Sequence, residues 1–193
     1  MRIALITERE ADLLYLFPPL LSSLENFRYL TTRESPSENY HLEINMAEAA
    51  LPISVRQTRE ATVKEHIGAE NRHDPAATVA TFSDYKASYD IPAFGEAGQV
   101  PDHNAIRELF VGMFSVFPDF HIEAGPLRHG DDHVFVEIRL SGTQHADWVG
   151  IPSTGKSFST RMAVLYEFEE DQLVCERVYM DFADIARQLG PNS

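Results

Sequence analysis

The sequence predicts an α+β fold in which helices come first and antiparallel strands last. Ile106, Leu109, Phe110, Met113, Phe114 and Phe117 recur at the i, i+3, i+4, i+7, i+8 spacing of one apolar helical stripe, stopped by Pro118. Beyond that proline the period drops to two. Over 133–140, Val134, Val136, Ile138 and Leu140 alternate with Phe135, Glu137 and Arg139; over 158–168, Phe158, Met162, Val164, Tyr166 and Phe168 occupy even positions. A third strand, 172–181, follows at hairpin distance. This segregation predicts a strongly bent, mainly antiparallel sheet packed on helices rather than a parallel α/β sheet.

Residues 1–50 have mixed character, with a leucine-rich run broken at Pro18-Pro19, and are expected to be an appendage to a main domain over 51–193. Met46 is a candidate natural start. From Ser54, a capping box formed with Gln57 predicts a helix to about Asn71, with Val55, Thr62, His66 and Ala69 on one face. Asp74-Pro75 opens a shorter helix, and Asp102 or Asn104 opens the striped one.

Composition narrows the function. At 193 residues with 44% hydrophobic content, the chain can bury one sizeable core. Thirty acidic against sixteen basic residues give a formal charge of −14, which disfavours nucleic acid and anionic lipid as partners. The apolar run near the N-terminus is too short to span a bilayer and has acidic flanks, unlike a secretory signal. A single cysteine, Cys175, excludes an internal disulfide, so a cytoplasmic setting is expected.

One pattern invites a nucleotide. Gly150 to Ser157 fits G-x-x-x-x-G-K-[ST], but a phosphate loop needs a helix after it, and a strand is predicted there instead. We therefore read the segment as a hairpin loop shaped by Pro152 and Gly155. The eight histidines give no defensible metal site, because His129 and His133 straddle a turn.

Candidate chemistry gathers in the last third. If Arg177, Tyr179 and Asp181 share an inward face of the last strand, a carboxylate stands in an apolar pocket beside a phenol and a guanidinium. The opposite set is Glu176, Val178 and Met180. His145 and Gln144 supply a further donor or proton shuttle, and Trp148 stands between two loops where an indole can meet a ligand. Phe114, Phe117, Phe135, Arg139, Met162 and Tyr166 complete the substrate-binding candidates.

Phe117-Pro118-Asp119-Phe120, Gly142-Thr143, the loop Gly150-Ile151-Pro152-Ser153-Thr154-Gly155-Lys156, Tyr179-Met180-Asp181 and Gln188-Leu189-Gly190, in that order, resemble the SnoaL-like polyketide cyclases, within the wider fold of nuclear transport factor 2 and ketosteroid isomerase. The resemblance covers about 55–190. It implies a cone-shaped α+β barrel around a hydrophobic cavity, paired as a homodimer through the sheet. It also implies cofactor-free acid/base chemistry, an intramolecular aldol condensation or related isomerisation on a small hydrophobic carbonyl compound. The key aspartate of such enzymes corresponds to Asp181. Two alternatives share the cavity: a non-catalytic small-molecule-binding protein, and an epoxide or ester hydrolase in which Asp181 activates water.

Overall fold

The computed structural model describes residues 52–190. The expectations for residues 1–50, including Met46 as a start, lie outside them. Helix α1 (Ile53–Asn71) begins after Pro52 without a side-chain cap, so the expected Ser54 box does not form. Ser54 already lies in the helix, where its carbonyl accepts the Thr58 hydroxyl. Asp74 does cap α2 (Pro75–Val79), accepting from the Ala76 and Ala77 amides. Asp102 caps the striped helix α3 (His103–Val116) in the same way.

Seven strands form one sheet. They are β1 (Ser88–Asp90), β2 (Gln99–Val100), β3 (His121–Ala124), β4 (Arg128–His129), β5 (His133–Thr143), β6 (Ser157–Glu169) and β7 (Gln172–Tyr179). A turn of 3-10 helix, Pro92–Gly98, joins β1 to β2, and helix α4 (Phe182–Leu189) follows β7. The order is β2-β1-β7-β6-β5-β3, with β4 also on β5; only the β1–β7 pair is parallel. The sheet is curved, as the expected α+β fold requires, and among the described residues it does not close on itself.

The long strands β5 and β6 bury the side chains that the period of two selects, Val134 to Leu140 and Phe158 to Phe168 at even positions. Against this concave face pack Val63 and Ile67 of α1 and Ile106 and Phe110 of α3. Burial of that apolar area is the main force holding helices to sheet. Arg59 pins α1 to two turns at once: its Nε donates to the Glu170 carbonyl at 2.8 Å and its Nη1 to that of Asp131 at 2.8 Å.

The loop with the phosphate-binding pattern is a structural connection. Trp148 and Ile151 exchange both backbone hydrogen bonds (2.9 and 2.8 Å) across Val149 and Gly150, which have φ of 45° and 77°, so a two-residue left-handed turn is centred there. Lys156, the would-be phosphate ligand, donates to the Gly190 carbonyl at 2.6 Å and so serves the C-terminal end of α4.

Candidate active site

Between α3, the 3-10 turn and the concave sheet lies a cavity of about 620 Å³. Its depth can be ordered by burial. Tyr89, Met162, Val164 and Glu176 are buried at its floor, whereas Ala97, Glu108, Gly112 and Val149 are exposed at its mouth.

The floor is built by strand register. Residues paired across neighbouring strands share a face, so the inward Tyr166 brings its partner Glu176 inward, and Glu176 in turn aligns with Tyr89 on β1. Behind this row α1 presents His66 and Glu70, one helical turn apart. His66 is fully buried, and Glu70 and Glu176 are each 2% exposed. His66 Nε2 lies 2.8 Å from Glu176 Oε2 and 3.9 Å from Glu70 Oε1.

Hydrogen-bond directions reveal where the protons sit. The Thr81 hydroxyl donates to the Thr78 carbonyl at 2.7 Å, so it accepts from His66 Nδ1 at 2.6 Å. A neutral His66 with its proton on Nδ1 must then accept at Nε2, which requires Glu176 to donate as a carboxylic acid. Electrostatics agree. Burial lowers the His66 pKa, and it raises that of Glu176 to about 8. Glu70 is also raised to about 8, by burial first and by the neighbouring Glu176 second. Its Oε2 has no hydrogen-bond partner among the described residues, a further cost to the charged form. Burial likewise holds the Tyr89 and Tyr166 phenols well above their usual range, so both stay protonated donors.

One ligand atom from each of His66, Glu70 and Glu176 lies within 4.8 Å of the others, a spacing that could also accept a divalent ion. A proton shared between His66 and Glu176 accounts for the shortest of these contacts without one. What the arrangement offers is a carboxyl group that faces an apolar cavity and can exchange its proton with an imidazole behind it.

Several residues singled out in the sequence lie elsewhere. Arg177 and Tyr179 face outward, and the expected inward face is corrected to Glu176, Val178 and Met180. Arg177 is bound by Asp90 at 2.7 Å and Glu167 at 2.5 Å on the outer surface, and Tyr179 is 48% exposed. Asp181 is exposed and caps α4, accepting from the Asp184 amide at 3.0 Å. With Arg139 it edges a small polar depression separate from the apolar cavity. His145 is exposed; Gln144 is buried but donates to the Ile151 carbonyl at 3.0 Å, bracing its own loop. Phe114 stacks on His73, Phe117 packs between Trp148 and Phe158, and half-buried Phe135 lies on the alternate face of β5. Met162 and Trp148 do line the cavity, and Tyr166 stands beside Glu176.

The position of Asp181 makes a specific prediction. Asp181→Ala is expected to lose about 1 kcal/mol of stability through the vacated cap, measured by denaturant titration, and to leave ligand affinity in the cavity unchanged. A many-fold loss of affinity would place Asp181 back in the site.

Comparisons with known proteins agree with this architecture. The family model described as SnoaL-like polyketide cyclase matches residues 69–189, more than half of the chain. Among solved structures, a candidate SnoaL-like polyketide cyclase from Jannaschia sp. CCS1 is similar with TM-score 0.62 at 14% identity, covering 84% of this chain and 100% of that one. TsrD from Streptomyces laurentii gives TM-score 0.60 at 21% identity, covering 70% and 96%. An NTF2-like protein from Burkholderia thailandensis E264 gives 0.58 at 24% identity, covering 69% and 98%. At these identities the structural likeness speaks to the fold alone. No curated protein matches the sequence.

Proposed function

From a chain that belongs to the SnoaL-like polyketide cyclase family, we propose an enzyme that moves protons next to the carbonyl group of a small hydrophobic substrate, with Glu176 as its acid/base group. The observation that carries this reading is a titratable carboxyl on the floor of an apolar cavity, hydrogen-bonded to a buried imidazole. In the reactive form Glu176 is a carboxylate. It takes a proton from the carbon beside the carbonyl; the C–H electron pair moves into the carbonyl system, and negative charge develops on oxygen. The Tyr89 phenol at the same end of the cavity is the donor proposed for that oxygen. The enolate then regains the proton from Glu176 at carbon, giving exchange or isomerisation. Alternatively it attacks a second carbonyl of the same molecule, and Glu176 returns its proton to the new alkoxide, completing an aldol closure.

His66 is a positioning residue here. It touches Glu176 rather than the cavity, and Thr81 fixes its tautomer. No step requires a metal or an organic cofactor. Pairing of two copies through the outer sheet face, where Arg139, Arg161 and Tyr179 are exposed, remains part of the proposal.

Deuterium wash-in from D2O into a cyclic ketone such as cyclododecanone, followed by NMR, tests the reading. Since the base form is required, the rate should rise with pH and level off above about 8, following the raised Glu176 carboxyl. Binding of the ketone without enzyme-dependent wash-in would leave a carrier of small apolar molecules in place of an enzyme. Among the described residues no helix is long and apolar enough to cross a membrane.

A further inference from the structure

We infer that the ligand of this cavity is a hydrocarbon-rich compound with a single oxygen function at its inner end, and not a chain bearing carbonyls along its length. The inference rests on the acid/base reading above and narrows it to proton exchange or isomerisation beside one carbonyl, since an aldol closure would need a second carbonyl in the apolar part of the cavity. Among the described residues that line the cavity, four side chains carry a nitrogen or oxygen atom: Tyr89, Glu108, Trp148 and Glu176. Their distribution is uneven. Tyr89 and Glu176 are paired in register on adjacent strands and converge on the buried floor, whereas Glu108 is exposed at the mouth and half-buried Trp148 belongs to the loop beside it. Between floor and mouth the wall is formed by Leu109, Met113, Ile138 and Leu140. None of these can donate a hydrogen bond through its side chain. Backbone amides do not fill the gap, because those of β5 and β6 are committed to the sheet ladder.

A carbonyl placed against that middle zone gives up its water and gains no donor. Each such group is expected to weaken binding about tenfold or more. A poly-keto chain that filled the cavity would carry several of them. A ligand with one carbonyl on the floor carries none, because the Tyr89 phenol can donate to its oxygen. A second polar group is compatible only with the outer end, where Glu108 and solvent are within reach.

Three twelve-membered rings separate these cases at nearly constant size: cyclododecane, cyclododecanone and cyclododecane-1,5,9-trione. The probe signal is the fluorescence of Trp148, the single tryptophan of the chain, which lines the cavity. We expect the monoketone to bind at least tenfold more tightly than the trione and at least as tightly as the hydrocarbon. In Tyr89→Phe, monoketone affinity should fall about tenfold while hydrocarbon binding is retained, which also reports that the cavity is still folded. Equal or tighter binding of the trione would overturn the inference. If the monoketone shows this selectivity but no wash-in of deuterium, the acid/base reading fails and the substrate-class inference stands. If the trione exchanges and binds best, the reverse holds.

Discussion

Glu176→Gln is expected to slow deuterium wash-in about 10²- to 10⁴-fold, the range that a single positioned acid/base group supplies, while leaving the fold intact. The reason for both halves of that expectation is the same hydrogen bond. With His66 kept neutral by burial, the 2.8 Å contact between Glu176 Oε2 and His66 Nε2 has Glu176 as the donor. A glutamine amide can make the same donation, so His66 keeps its partner. What glutamine cannot do is accept a proton from carbon. The variant should therefore melt within a degree or two of wild type at pH 6 and also lose the rise in rate toward pH 8. The comparison with Asp181→Ala is informative, because that change lowers stability and spares the chemistry. A Glu176→Gln rate within about threefold of wild type would move the acid/base role to another residue.

Much of the fold was legible because its strongest elements obey simple periods. The α3 stripe, the Asp74-Pro75 and Asp102 caps and the even-numbered core of β5 and β6 all follow from spacing alone. The inward face of β7 did not, and the cause is one residue. The hairpin starts in register, with Glu169 opposite Gln172 and Phe168 opposite Leu173. Continued without interruption, that register would set Tyr166 opposite Cys175 and Val164 opposite Arg177, and the odd set with Arg177 and Tyr179 would face the cavity. A bulge between Glu167 and Phe168 shifts the pairing, so Tyr166 meets Glu176 and Val164 meets Val178. No side-chain pattern announces that bulge.

The rest of the site left a trace that period counting reads past. His66 and Glu70 fall in helical register with Val63 and Ile67, and Glu176 stands two residues from both Val174 and Val178. Titratable side chains at core positions are costly to bury unless partnered or neutral. A sequence pass that marks such violations would have put these three together as candidates. It could not have shown that α1 lies behind β7, since that contact joins segments more than a hundred residues apart.

Stability should fall with rising pH in a window that few proteins show, and Glu70→Gln should remove part of the fall. Glu70 and Glu176 are held neutral by burial, each with a pKa raised to about 8. In the unfolded chain they ionise near the ordinary carboxylate value. For a raised carboxyl the folded state holds more protons than the unfolded one, so its contribution to stability is complete below the unfolded pKa and is lost as pH rises through the folded one. His66 acts in the opposite sense below its own ordinary pKa, because burial keeps it neutral while the unfolded histidine is protonated. The two effects partly offset each other at mildly acid pH. Between about pH 6.5 and 8 only the carboxyl groups act, each lowering stability by up to about 1.4 kcal/mol per pH unit. Denaturant titrations of wild type and Glu70→Gln across pH 5 to 8 isolate one of them. The amide carries a constant cost from its altered contacts, so the quantity to read is how the difference between the two proteins changes with pH. That difference should move in favour of the variant by a few kcal/mol toward pH 8. Parallel curves would mean that Glu70 ionises alike in the folded and unfolded chain, and the neutral cluster behind Glu176 would lose its main support.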